Sequence, residues 1–384
     1  MRVLHIVPSL DQRSGGPLRA VLQIAFFAHF YGLDSEVVGV GDVDVPDNPL
    51  PRLLIHSCPC GWPQSYAYSA RLRSWLREHV KKFDGVVLHG MWLYPNLVGA
   101  QECVRARIPY VCFPHGMLEP WAVGGQGWWK WLKKHIYWHL AEKYSFDKSE
   151  GTLFASKREY ELARTVFVIS RLSAIVPPFG VDTTTEAMIR SPSLKVAKAT
   201  VSKYVLFLGR IHPKKNLAFL LRAWAQANLQ DGWRLVVAGP AEKGYLAALK
   251  RLVESLNINK TVLFLDFICG DDKTYLLQNA KWLLLPSRQE NFGIVVLEAL
   301  HNGCPVVISD QVFLANELQT SAVILKLQMD DWVRFICDRM ADESYRFNCV
   351  ERGRKLLSSE FNIQAIADLW VVALTALFRQ RRVS

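Results

Sequence analysis

Two glutamates, Glu290 and Glu298, stand eight positions apart in SRQENFGIVVLEALHNGCPVV, residues 287–307. Charged side chains are seldom buried in such an apolar run unless they are paired or used. The pattern after Glu290 reads as a helix closed by Gly303, with Glu290 just before it and Glu298 inside it. Eight residues at helical rise span roughly 12 Å. That matches the separation of the two sugars in a nucleotide diphosphate sugar. The amides of Asn291, Phe292, Gly293 and Ile294 would open the helix and form an anion site for the diphosphate. Each carboxylate can accept hydrogen bonds from a pair of sugar hydroxyls. Taken alone, the same residues read equally well as a helix cap at Glu290 and a solvated or salt-bridged Glu298.

Cations occur where they would complete such a site. LFLGRIHPKKN places Arg210 and Lys215 in a loop directly after a strand, where two positive charges can neutralise a diphosphate and stabilise it as a leaving group. Lys214 reads as ordinary surface charge. Gly15 and Gly16, in SLDQRSGGPLRAV, form a glycine turn between a first strand and a first helix that permits close backbone approach to a ligand. It is not the G-x-G-x-x-G fingerprint, which disfavours a dinucleotide site. Two His-Gly pairs, His89-Gly90 and His115-Gly116, close strands in the front half. A histidine there can bond a sugar hydroxyl or a phosphate, and His115, flanked by Pro and Gly, is the better placed. Asp42 and Asp44 could pair on a metal, but no further ligand stands near them in sequence, and no metal is expected. The pairs Asp271-Asp272 and Asp330-Asp331 read as helix N-terminal or loop charges.

These residues need a scaffold of strands whose carboxyl ends share one edge. The front half offers it: RVLHIVPSL, SEVVGVG, GVVLHG and PYVCFPHG read as strands, with helices over SGGPLRAVLQIAFFAHF and SARLRSWLREHVKKF. The back half repeats the style, with strands KYVLFLGR, WRLVVAGP, TVLFLDF, KWLLLPS and CPVVIS and helices NLAFLLRAWAQANL and GYLAALKRLVESLNI. Continuous apolar strands followed by helices imply parallel sheets covered on both faces. Ligands of such sheets sit at the carboxyl ends of the strands, and two sheets face to face would place the site in a central cleft. The turn-rich VPPFGVDTTTEAMIRSPS marks the seam.

The 384 residues suit two domains. Half are hydrophobic and a fifth charged, which excludes a disordered chain. The formal charge of +11 is shared between the halves and suits an anionic ligand, an anionic membrane or nucleic acid, or simply a soluble basic surface. The eight cysteines show no zinc spacing and read as reduced thiols in a cytoplasmic protein without a secretory signal. No apolar run reaches the ~18 residues of a membrane span. GQGWWKWLKKHIYWHLAEKY, within 124–144, reads either as a basic aromatic helix at a membrane interface or as a core-packed helix with a lysine face.

Together GRIHPKKN, ENFGIVVLEALHNGCPVV and the VPPFGVD seam resemble the retaining GT-B glycosyltransferases of family 4, glycosyl transferases group 1. The E-x7-E element is intact, and FPHGMLEPWA is similar to the subgroup of exopolysaccharide assembly. The resemblance implies a GT-B fold of two doubly wound Rossmann-like domains facing a central cleft. It sets domains at 1–182 and 183–360, with a final helix in 361–384 returning to the front domain. It implies Glu290 on the transferred sugar, Glu298 on the ribose hydroxyls, and Arg210 with Lys215 on the diphosphate. The amides of Phe292 to Ile294 would meet phosphate or sugar, and Ile268 would line the base. His115 would touch the transferred sugar, and Gly16 would border diphosphate and acceptor. Transfer with retention and without metal is implied. Two departures stand out: SDQVFLANELQ lacks the family's frequent Gly-Gly turn, and Asp266 stands where glycine is common.

The sequence therefore points to a retaining, hexosyltransferase-type enzyme with a nucleotide diphosphate sugar as co-substrate and no cofactor. No side-chain nucleophile is evident, which favours front-face displacement assisted by the leaving diphosphate. The expected acceptor is a glycan or lipid-linked glycan, and nucleic acid is not an expected partner. The expected place is the cytoplasm, with peripheral contact to the inner face of the plasma membrane. A nucleotide-sugar epimerase or hydrolase of the same architecture, and a non-catalytic binding protein, are the rivals.

Overall fold

The structure is a computed structural model. It describes residues 1–384 except 12–15, 43–52, 125–126, 170–172, 178, 183–190, 230–231, 242 and 380–384, and except the side chains of 16, 17, 19 and 243. Gly15 and Asp44 lie outside the described residues.

The chain divides into two units, one comprising Met1–Gly180 with Ile363–Ser384, the other Val181–Asn362. The first contains strands β1 (Arg2–Val7), β2 (Asp34–Val40), β3 (Leu54–Cys58), β4 (Gly85–His89), β5 (Tyr110–Phe113), β6 (Gly151–Phe154) and β7 (Ser173–Ile175). They form one parallel sheet in the order β3-β2-β1-β4-β5-β6-β7. The chain starts at β1, winds out to one edge, returns to β4 and winds out to the other. Its switch point therefore lies between β1 and β4.

β4 is buried along its whole length, as befits a central strand covered on both faces. A side chain on Gly85 would collide with the Phe378 ring, so a helix from the far end of the chain packs directly against this strand. That helix, Ile363–Arg379, lies on Gly16–His29 within the first unit, and the indole of Trp370 donates to the Pro177 carbonyl at 2.9 Å. Its buried face, Ile363, Ile366, Ala367, Trp370, Leu374, Leu377 and Phe378, follows helical spacing.

The second unit holds β8 (Tyr204–Leu208), β9 (Arg234–Ala238), β10 (Val262–Leu265), β11 (Leu283–Leu285), β12 (Val306–Ser309) and β13 (Val323–Leu325), again all parallel. The order β10-β9-β8-β11-β12-β13 sets its switch point between β8 and β11. The loops leaving these two neighbours carry the candidate cations and Glu290. Gly209 and Gly239 let the loops after β8 and β9 pass in contact. A Cβ at Gly239, whose φ is 142°, would fall 2.1 Å from the Gly209 carbonyl oxygen.

Candidate active site

In the second unit, β8 ends at Leu208 and the chain turns through Arg210 to Lys215. The turn is pinned at several points. Ile211 donates to the Pro240 carbonyl at 2.8 Å, and the Lys214 amide donates to His212 Nδ1 at 3.2 Å. Asn216, at φ 56°, starts the helix Leu217–Ala227. From the neighbouring strand, Arg288 donates its amide to the Lys214 carbonyl at 2.8 Å and its Nε to Asn216 Oδ1 at 3.1 Å. The β11 loop is thus tied to the β8 loop. This tie brings the Lys215 ammonium into an ion pair with the Glu290 carboxylate, with only 17% and 16% of the side chains exposed.

Burial, with the nearby Arg210 and Lys214 charges, pushes the Lys215 ammonium down to about 7. The Glu290 carboxylate opposes that shift. Arg210 itself is exposed, beside this pair. The result is a cationic corner at the carboxyl edge of the sheet, with a carboxylate set into it.

The helix that follows Glu290 begins later than the sequence suggests. Gly293 adopts φ 68° and caps a helix running only from Ile294 to His301. Asn291 and Phe292 therefore lie outside it, and their amides are not the helix N-terminus. The physical reason is the preceding bridge: Glu290 pairs with Val312 in parallel register, holding the chain extended until Gly293 turns it. Phe292 is buried, edge-on to Phe361 at 6.2 Å. Ile294 and Val295 stand in the first turn, where helix geometry gives their amides no partner within the helix, while Val296 already bonds the Gly293 carbonyl at 2.7 Å.

Glu298 lies inside the helix and is buried. Its Oε2 meets Lys273 Nζ at 2.5 Å, a partner on the helix Gly270–Asn279 that the sequence did not reveal. The salt-bridged reading of Glu298 is thus realised, with a lysine that is itself nearly buried. Ile268, half-buried, sits between β10 and that lysine's helix. Asp266 is exposed and pairs with Lys195 at 3.2 Å. Asp271 and Asp272 occupy the first turn of the Gly270 helix, and Asp330 and Asp331 that of Met329–Arg334, where negative charge is favoured.

In the first unit, Gly16 opens the helix Gly16–His29. His115 follows β5 with a left-handed backbone at φ 52°, and Gly116 continues at φ 76°. The Gly116 amide donates to Glu159 Oε1 at 2.5 Å, and the Ala155 amide to Glu159 Oε2 at 2.7 Å. Glu159, fully buried on the helix Lys157–Arg164, therefore anchors the His115 loop. Asn96 does the same for the β4 end, donating to the His89 and Gly90 carbonyls at 3.1 and 2.8 Å. His89 Nδ1 lies 2.9 Å from His115 Nε2, so the two His-Gly pairs are one structure. Among the described residues, no cluster of three or more His, Cys, Asp or Glu could hold a metal ion. The described cysteines are free thiols.

Two family descriptions match the chain: a glycosyl transferase 4-like domain over residues 17–178 and glycosyl transferases group 1 over residues 193–356. An uncharacterized glycosyltransferase of Methanocaldococcus jannaschii, MJ1607, is 37% identical over 43% of this chain and 43% of its own length. The match thus spans less than half of that curated relative. A GDP-mannose:cellobiosyl-diphosphopolyprenol alpha-mannosyltransferase of Xanthomonas oryzae pv. oryzae is 25% identical over 81% of this chain and 79% of its own. Among solved structures, Anabaena Alr3699/HepE in complex with UDP and glucose superimposes with a TM-score of 0.78 at 17% identity, over 98% of this chain and 100% of that one. The two parallel α/β sheets are those of a GT-B fold. With a 4-like domain in its first unit and a group 1 domain in its second, the chain belongs to the group 1 family of GT-B glycosyltransferases.

Proposed function

We propose that the protein transfers a hexose from a nucleotide diphosphate sugar to a glycan or lipid-linked glycan acceptor, with retention of configuration and without a metal. One observation carries the reading: Arg210, Lys215 and Glu290 converge at the switch point of the second sheet. A diphosphate against Lys215 and Arg210 would keep both cations charged and draw Lys215 away from Glu290. Glu290 would then accept hydrogen bonds from the hydroxyls of the transferred sugar. The positive charge that a divalent ion supplies in other phosphoryl sites would come here from side chains. The amides at Ile294 and Val295 would add to it. Glu298, held by Lys273, would take the ribose hydroxyls, and Ile268 would line the base. His115 would touch the transferred sugar, and Gly16 would border diphosphate and acceptor.

Displacement occurs at the front face. The leaving diphosphate oxygen receives the acceptor's proton as the new glycosidic bond forms on the side from which the diphosphate departs. The name of the Xanthomonas relative, with its diphosphopolyprenol acceptor, supports a lipid-linked substrate, and the complex of the Anabaena structure supports a nucleotide sugar. We further place the protein in the cytoplasm, against the inner face of the plasma membrane. The helix Trp128–Tyr137 exposes Trp128, Trp129, Trp131 and Ile136 and buries none of its residues. Among the described residues, no helix is long and apolar enough to cross a membrane.

The test is a panel of nucleotide sugars with a lipid-diphosphate-linked acceptor, in the presence of a chelator, with the product anomer read by NMR. Acceptor-dependent transfer with the donor's anomeric configuration is expected. Rapid donor turnover without acceptor would establish a hydrolase or epimerase instead. Binding of no nucleotide sugar would leave only a scaffold role.

A further inference from the structure

Three histidines in the first unit form one hydrogen-bonded chain across the sheet's switch point. His5 lies in β1, His89 ends β4, and His115 follows β5. His5 Nδ1 is 2.9 Å from His89 Nε2, and His89 Nδ1 is 2.9 Å from His115 Nε2. The rings stack at centroid distances of 5.2 Å at each step, and the Phe113 ring lies 4.0 Å from that of His115. His5 and His89 are fully buried. Among the described residues, the inner end of the chain, His5 Nε2, is buried without a hydrogen-bond partner. His5 borders a small space lined by Ala20, Val21, Ile24 and Trp370, which as bounded by the described residues has no room for a water molecule. The outer end is Nδ1 of His115.

A neutral imidazole carries one N–H and one lone pair. Two bonds in series therefore allow only two arrangements of three neutral rings. If the protons sit on Nε2, both bonds point inward and the chain ends in a buried His5 N–H with no acceptor. If they sit on Nδ1, both bonds point outward and the chain ends in a buried lone pair. A buried N–H without an acceptor is the rarer and costlier of the two orphans, and among the described residues the lining around His5, apolar apart from the other two rings of the chain, supplies no further acceptor. A charged ring does not intervene near neutral pH. Burial lowers His5 and His115 to about 3, and burial with the two flanking rings lowers His89 well below its usual range.

We propose that His5 and His89 are positioning residues that hold the proton of His115 on Nδ1, so that His115 meets an oxygen of the transferred sugar as a hydrogen-bond donor and not as an acceptor. This rests on the reading that His115 touches that sugar. The donor is set from within the sheet, two strands away. Its source is the orphan lone pair at the buried inner end of the chain, which makes the arrangement a property of the strands and not of the His115 loop.

The tautomer is read directly from two-bond proton–nitrogen NMR correlations of the full chain labelled with 15N-histidine. Protonation of His115 at Nδ1, unchanged between pH 6 and pH 8 on the order of the usual histidine range, is the expected result. His5→Asn keeps an amide N–H where His5 Nδ1–H stood, and should keep that signal. His5→Phe moves the orphan lone pair to the buried His89 Nε2, and by the same rule should keep the signal as well. His89→Phe removes the N–H that bonds Nε2 of the half-buried His115, and should give a mixed or Nε2-protonated His115 with kcat lowered about five- to tenfold. Nucleoside diphosphate affinity should be the same in all four proteins. A wild-type His115 protonated on Nε2 overturns the proposal whether or not any variant folds. A shift to Nε2 in His5→Phe, or an unchanged Nδ1 signal in His89→Phe, overturns it as well. Equal turnover in all four proteins with the expected tautomers would instead remove His115 from the sugar, a failure of the functional reading that leaves the tautomer assignment standing.

Discussion

At Lys215, burial and charge act in opposite senses. Desolvation and the cations Arg210 and Lys214 favour a neutral amine, while contact with Glu290 favours an ammonium. With the ammonium lowered to about 7, a rise in pH through neutrality removes the proton that a diphosphate needs. Nucleoside diphosphate affinity should therefore fall as pH rises from about 6 to about 9. Lys215→Arg, which stays charged, should flatten that dependence, and calorimetric titration across the range checks both. Lys273 makes a separate case. It meets a buried carboxylate, and removing one member of such a pair destabilises by on the order of 3 kcal/mol. Lys273→Met should lower the denaturant midpoint, and adding Glu298→Gln should restore part of the loss. A double-mutant cycle without coupling would show that the contact carries no weight.

At the scale of elements, the helical stretch after residue 127 places Glu142 inside the first unit. Its Oε1 accepts the Trp92 amide at 2.5 Å, yet burial pushes the carboxyl up to about 7. The unfolded chain loses this proton near the ordinary glutamate range, so between about 4.5 and 7 the native state holds more protons than the unfolded one. The contribution of Glu142 to stability is therefore fully present below about 4.5 and is lost as pH rises through about 7. Glu142→Gln should flatten the decline of the unfolding midpoint over that window, and a set of denaturant titrations at fixed pH values measures it. If the wild type and the variant run parallel, the carboxyl is charged in the native state.

At the scale of the whole molecule, the charge of +11 gives the exposed tryptophans a setting. Trp128 and Trp129 are 63% and 67% exposed on a helix that also carries Lys130, Lys133 and Lys134. Flotation with vesicles containing anionic lipid should carry the protein upward at low salt and release it as salt screens the lysines. Replacing both tryptophans by serine should weaken flotation while leaving nucleotide binding unchanged. Protein that stays at the bottom with anionic vesicles at low salt would refute the membrane placement. Much of the architecture behind these expectations could be read from the sequence. Central strands such as β4 and β8 are buried on both faces and so appear as unbroken apolar runs, and the E-x7-E spacing lies within one short segment. The edge strands β3, β7 and β13 escaped, because a strand paired on one side needs no such run, and the interior β6 escaped because its four residues are too short to show a period. The helix start at Ile294 escaped because it depends on a strand-like bridge to Val312, a partner outside the local pattern. Hydrophobic periodicity is short-ranged, and it settled which segments become strands and helices and which residue types stand at their ends. Sheet order brings distant segments side by side, and only it could decide that Lys215 meets Glu290, that Lys273 meets Glu298, and that His5, His89 and His115 share one chain of hydrogen bonds.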